Sequence, residues 1–373
     1  MKLAIDRTEP TPEQVAAATP LLERAYALAY SPAKPPPPEE LCMTLGEYPI
    51  AARGNLIVIQ GKSKAGKSAV VSAVLGASMR GESSAKGDTL CLNWVGDASG
   101  AVIHFDTEQS LGDWHTLVSR SVARSGLPEI PSQVVSLSLV RFTRLERLIL
   151  LEQVLEREAE KQGSIDCVVI DGIADLCKSP NDEAEALELV SKVHALCQQY
   201  DCVIVCVVHE NPSTDAGKTR GHLGSELNRK AFANLRVDKD SSTGLSTLWG
   251  SEMRKRDIPR DQGFCFAWDN ALGMHSFQGR SAGLKAARKK AEKAAKERDF
   301  FEPIFDAKRT TSSCLTLSVP EALEILRNKN ETESIPTPAA LRKRMERAKT
   351  LEVLGTERRG RWTLNKMGQN GHE

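Results

Sequence analysis

Gly61-Lys62-Ser63-Lys64-Ala65-Gly66-Lys67-Ser68 decides how this chain is read. The eight residues satisfy G-x-x-x-x-G-K-[ST], follow the apolar run Leu56-Ile57-Val58-Ile59 and lead into a helical pattern from Lys67 to Met79. Strand, glycine loop and helix in that order turn backbone N–H groups, through about Ala69, toward an anion at the positive end of the helix. Gly61 and Gly66 let the backbone wrap closely, and Lys62, Ser63, Lys64 and Ala65 form the wrap. Lys67 adds a point charge for β- and γ-phosphates, and Ser68 a hydroxyl for Mg²⁺. The stretch therefore predicts a site for ATP with Mg²⁺, and hydrolysis of the triphosphate.

Working outward, hydrolysis needs acids at the tips of neighbouring strands. Cys167-Val168-Val169-Ile170-Asp171 is an apolar strand ending in an acid, so Asp171 is predicted to reach the metal directly or through water. Phe105-Asp106-Thr107-Glu108-Gln109 brings further carboxylates beside it. Glu108 is the candidate to activate or orient the attacking water, and Asp106 takes that place if it is the one that points in.

Around these motifs, from Leu41 to Gly279, β-branched runs alternate with helical patterns. That alternation predicts an α/β fold: a mostly parallel central sheet covered by helices. Ala101 to Phe105, Val134 to Leu137 and Val203 to Val208 join the two strands above, most of them apolar on both faces as buried parallel strands must be. Helical spacing marks Leu111 to Ser125, Arg144 to Lys161 and Ala184 to Gln199. Shorter stretches near Leu235-Arg236-Val237, Leu245 to Trp249 and Phe264 to Ala267 predict antiparallel strands added to one edge. The domain reading is a Pro-rich arm over 1–40, an ATPase domain over 41–280, a basic helical linker over 281–314 and a small module over 315–373. In that module helices are expected at Pro320 to Asn328 and Pro338 to Lys349, with a hairpin from Glu352 to Leu364.

Composition narrows the partners. Lys and Arg number 50 against 49 Asp and Glu, which selects no partner by itself. From Ser281 onward, however, 20 basic residues face 13 acidic ones, and the asymmetry points to a polyanion near the C-terminus. Nine cysteines without a Cys-x-x-Cys pair read as reduced core thiols of a cytoplasmic protein. The seven histidines lack ligand spacing, so no structural zinc is expected. With no clean apolar leader and no run of 18 apolar residues, neither secretion nor a membrane span is expected.

The order GKSKAGKS, FDTEQS, VVIDG, VVHENP and RGHLGSELNRKA resembles the RecA-like ATPases, and within them the RepA-type hexameric helicases of plasmids and mobile elements. The resemblance spans roughly Leu41 to His275. It implies that Glu108 activates water and that His209 senses the γ-phosphate. It implies that the loop over 210–224, with Lys218, Arg220 and His222, faces a channel carrying single-stranded DNA. It also implies a ring of copies, six in that family, with nucleotide between subunits and a trans-acting cation from Met253-Arg254-Lys255-Arg256: Arg254 or Arg256. Gly172, rather than a second acid, follows Asp171, which argues against the AAA+ branch. Arg342, Lys343, Arg344, Arg347 and Lys349 on a helix, followed by a hairpin with Arg358, Arg359 and Arg361, resemble a winged-helix module for duplex DNA. The expected activity is that of a DNA-acting ring helicase. A regulatory or loading ATPase without unwinding is the alternative, and a small-molecule kinase is disfavoured because no arginine-clustered lid is evident.

Overall fold

Strands apolar on both faces need cover on both sides, and the chain supplies it. A computed structural model describes residues 20, 22–23, 25–33, 35, 38–81, 87–210, 221–311, 316–329, 335–357 and 361–365. Met1–Glu40 forms one unit and Leu41–Glu373 another. The second unit opens with β1 (Leu41–Leu45), β2 (Tyr48–Ala52), β3 (Leu56–Gly61), α1 (Lys67–Arg80), β4 (Leu92–Trp94) and β5 (Ala101–Asp106). It continues through α2 (Leu111–Ser125), β6 (Val134–Ser138), α3 (Arg144–Gln162), β7 (Ile165–Asp171), α4 (Glu183–Tyr200), β8 (Val203–His209) and α5 (Gly221–Lys230). Then come β9 (Ala233–Lys239), β10 (Ser246–Ser251), β11 (Phe264–Asp269), β12 (Met274–Arg280) and α6 (Ser281–Thr311). The last elements are β13 (Thr316–Leu317), α7 (Val319–Lys329), α8 (Pro338–Thr350), β14 (Leu354–Glu357) and β15 (Arg361–Leu364).

Nine strands form the central sheet in the order β12-β11-β10-β9-β3-β8-β7-β5-β6. From β9 to β6 all neighbours are parallel, and β10, β11 and β12 extend one edge antiparallel. This is the expected RecA-like α/β core, with antiparallel strands added to one edge as expected. Side chains alternate between two apolar layers, as the two-residue strand period requires. Ile57, Ile59, Val205 and Val207 meet Val70, Val71 and Val74 of α1 on one face. Leu56, Val58, Ile204 and Val208 meet Leu155 of α3 and Val190 and Val193 of α4 on the other. Each such side chain contributes about 1.5–3 kcal/mol on full burial. Among the described residues, no helix is long and apolar enough to cross a membrane.

A second sheet, β2-β1-β4, was not legible from the sequence. Its strands are three to five residues long, and Pro49 lies within β2, where a proline argues against a strand. Pro49 is tolerated because β2 is an edge strand.

The basic stretch expected as a linker over 281–314 behaves differently along its length. It is one helix, α6, running through Pro303. Its far end is core: Phe301, Ile304 and Phe305 are buried with Leu317, Leu323, Leu341, Met345 and Trp362. Their spacing of three and four residues puts them on one helical face, and their burial offsets the roughly 3 kcal/mol cost of an interior proline. Phe301, Ile304 and Phe305 of α6 thus share one apolar cluster with residues of the segment expected as a small module over 315–373. Two of the basic residues expected to face DNA are engaged internally. Arg344 Nε and Arg347 Nη2 donate to the buried Glu297 at 2.7 and 2.6 Å, and Arg344 lies 3.4 Å over the Phe300 ring. Arg342, Lys343 and Lys349 are exposed. Arg358 and Arg359 lie outside the described residues, and Arg361 reaches Thr316 Oγ1 at 3.2 Å.

Candidate functional site

Helices α2, α3 and α4 open on Ser110, Thr143 and Asp182, whose side chains satisfy first-turn N–H groups. Helix α1 opens on Gly66 with no side-chain cap and no first-turn acid. The Ala69 N–H is taken by Gly66 O at 3.1 Å, and the N–H groups that precede it at the helix start are the ones placed to meet an anion. Gly66 holds φ at +108°, and a Cβ there would lie 2.9 Å from the Phe266 ring, so glycine is required. From β10, the buried Ser246 Oγ donates to Ala65 O at 2.8 Å and anchors the loop.

Lys67 is nearly buried, and its Nζ donates to Gly61 O at 3.0 Å and Lys62 O at 3.1 Å. It also reaches His209 Nδ1 at 3.0 Å, while His209 Nε2 lies 3.0 Å from Glu108 Oε2. An ammonium can only donate. His209 Nδ1 is therefore the acceptor, and Nε2 carries the proton toward the Glu108 carboxylate. Burial lowers the Lys67 pKa, opposed by the charges of Glu108, Asp171 and Glu210. The hydrogen bond from His209 lowers that of Glu108 against the effect of burial, with the charge of Lys67 helping.

Behind this chain lies a pair of buried acids. Asp106 and Asp171 stand opposite each other in the β5–β7 register. Gln109 Nε2 bridges them, 2.6 Å from Asp106 Oδ2 and 3.1 Å from Asp171 Oδ2. Asp106 Oδ1 also accepts the N–H groups of Glu108 and Gln109 at 3.0 and 2.8 Å. Asp106 is thus turned inward to shape the strand end, while Glu108 faces the cavity. Burial, then the charges of Asp106 and Glu108, push the Asp171 carboxyl up to about 7. Gln109→Leu removes the bridging amide at similar volume and is expected to cost about 1–3 kcal/mol, read from the urea midpoint; an unchanged midpoint would deny the bridge any weight.

Gly172 shows why no second acid follows Asp171. Its φ is +98°, and a Cβ would lie 2.3 Å from Thr107 Oγ1 and 2.8 Å from Glu108 Cγ. Gly172→Ala is therefore expected to lose about 2–3 kcal/mol of stability and to displace Glu108. Chemical denaturation checks the first effect and hydrolysis rate the second; a variant matching the parent in both would show that the segment over 107–108 yields freely.

Lys67, Ser68, Glu108, Asp171 and His209 line one cavity of about 450 Å³. Its far wall holds Arg120, Arg124, Lys239 and His275, which sequence reasoning missed. Arg124 is fully buried, donating to Ser72 Oγ at 2.8 Å, Asp88 O at 2.6 Å and His275 O at 2.7 Å. Burial lowers its pKa to about 10. The available signal was its place on the inward face of α2, with Leu117 and Ser121. Arg254 and Arg256 do not line this cavity in the same chain. The Arg254 guanidinium caps carbonyls of Lys230 and Ala231 at 3.3 Å each, and Arg256 lies 4.9 Å over the Tyr48 ring. Of the expected channel loop, residues 211–220, including Lys218 and Arg220, lie outside the described residues; His222 is in the first turn of α5.

The donor set suits Mg²⁺. Ser68 and Asp171 offer oxygen ligands only, in a cluster of acids whose charge a divalent cation would balance. Uncapped helix, buried lysine and strand-tip acids together define a P-loop nucleotide-binding protein. A family model described as AAA domain matches residues 18–215, more than half of the chain. The chain belongs to that family and is a RecA-like P-loop ATPase. Among solved structures, a KaiC-like protein from the hyperthermophilic archaeon Pyrococcus horikoshii is similar over 63% of this chain and 93% of its own, at 11% identity and a TM-score of 0.43. No curated protein matches.

Proposed function

We propose that the chain hydrolyses Mg·ATP and uses the cycle to act on DNA, as a ring helicase of the RepA type serving a plasmid or mobile element in the cytoplasm. The observation that carries the hydrolytic part is the continuous chain Lys67–His209–Glu108. A water-holding carboxylate joined through an imidazole to the phosphate-binding lysine suits hydrolysis better than phosphoryl transfer to a metabolite. Glu108 holds and activates the water, and the His209 Nε2–H keeps that carboxylate ionised and oriented. A phosphate oxygen in the cradle competes with His209 for the Lys67 ammonium. Nucleotide state is thereby reported to His209 and to the loop that follows β8. Mg²⁺, held by Ser68 and Asp171, would offset charge on the phosphate oxygens. In an assembled ring, Arg254 or Arg256 of an adjoining copy would complete the site, with single-stranded DNA against the loop over 210–224.

The exposed Arg342, Lys343 and Lys349 of α8 support a duplex-binding role for the small module, read as a winged helix. They also favour a second reading, a loading or regulatory ATPase governed by duplex DNA. Phosphate release measured with single-stranded and with duplex DNA, alongside particle mass, separates the two. Stimulation by single strands in a six-copy particle supports the helicase, stimulation by duplex alone supports the loader, and indifference to both removes DNA from the account. Reversing Arg342 and Lys343 to Glu should weaken duplex binding and flatten its salt dependence by roughly one unit of slope for each phosphate no longer neutralised; an unchanged slope would exclude α8 from the interface.

A further inference from the structure

Two buried carboxylates side by side call for a cation or a proton between them. Asp106 and Asp171 are such a pair, 0% and 6% exposed. His104 precedes Asp106 by two residues on β5, so both side chains emerge on one face of the sheet. His104 is fully buried. One of its ring nitrogens and a carboxylate oxygen from each acid lie within 4.8 Å of one another. The ring is held from behind: Nδ1 lies 2.9 Å from Ser136 Oγ, which also accepts the Trp114 Nε1–H at 2.9 Å. Nε2 has no hydrogen-bond partner among the described residues.

An imidazole beside two acids, with one nitrogen fixed by a hydroxyl and the other without a hydrogen-bond partner among the described residues, has the form of a metal ligand with its supporting shell in place. The hydrogen bonds to Asp106 and Asp171 orient the two acids: Asp106 Oδ1 is filled by two N–H groups, while Asp106 Oδ2 and Asp171 Oδ2 each accept one bond from Gln109 and retain a lone pair for a cation. We propose that His104, Asp106 and Asp171 form a second cation site, beneath the phosphate cradle, for a divalent first-row transition ion. One imidazole and two carboxylates favour Mn²⁺, Fe²⁺, Co²⁺ or Zn²⁺ over Mg²⁺, which prefers oxygen and retains its waters. The site shares Asp171 with the cradle but uses neither Ser68 nor nucleotide, and it goes beyond the ATPase reading.

The test uses the full chain, stripped of metal and free of nucleotide, titrated with Co²⁺ and followed by its visible d–d absorption. One equivalent is expected to bind. His104→Gln should weaken binding by on the order of 100-fold and Ser136→Ala by about 10-fold, while Ser68→Ala leaves it unchanged. Thermal melts of each apo variant separate lost ligation from lost fold, and Ser136→Ala keeps the test decisive if His104→Gln does not fold. Absence of nucleotide-independent Co²⁺ binding in the parent, equal affinity in folded His104→Gln or in Ser136→Ala, or loss of binding in Ser68→Ala would each overturn the proposal. Because no nucleotide is present, such a failure leaves the hydrolytic reading standing, and a failure of hydrolysis leaves this site standing.

Discussion

Lys67→Ala is expected to lower ATP turnover by on the order of 10³-fold, the scale of losing a preorganised charge at a phosphoryl-transfer centre. Two losses combine. The ammonium no longer meets developing charge on the phosphate, and His209 Nδ1 loses the donor now 3.0 Å away, which loosens its hold on Glu108. The fold should survive, because α1 is fastened by Val70, Val71, Val74 and Leu75 in the core rather than by its first residue. Phosphate release and a circular-dichroism melt measure the two halves separately. Near-parental turnover in a folded variant would refute the site.

Glu108→Gln should bind ATP as the parent does and hydrolyse it about 10²–10⁴-fold more slowly. The amide keeps the shape and can still accept the His209 Nε2–H, but it cannot take a proton from water. Asp106, Gln109 and Asp171 hold one another independently of the Glu108 carboxylate, so the metal-binding acid stays in place. Equilibrium binding of a labelled ATP alongside single-turnover hydrolysis reads both effects. A variant that no longer binds nucleotide would instead give Glu108 a structural task.

The sequence disclosed those parts of the site that depend on local pattern. The loop over 61–68 is contiguous, and strands such as Cys167 to Ile170 announce themselves by being apolar on both faces. Which of Asp106 and Glu108 faces the cavity was not legible, because it depends on the β5–β7 register and on the turn that Asp106 makes with the two N–H groups after it. Gln109 was likewise hidden, since its partners lie three residues back and 62 residues ahead. Arg124 reaches Ser72, Asp88 and His275, contacts that exist only once three distant segments have met. The end of α6 was obscured by Pro303, which reads as a stop until the burial of its apolar neighbours is known.

Helix α6 starts at the residue after β12 ends, with no intervening loop, and Ser281 N is tied to Gly263 O at 2.9 Å. At 1.5 Å per residue its 31 residues make a boom about 46 Å long. A tilt of about 5° at its root would swing the far end by about 4 Å, a straightforward lever calculation on that rise. The basic face of α8 is anchored at Glu297, 16 residues and about 24 Å along α6, so the same tilt at the root would displace it by about 2 Å.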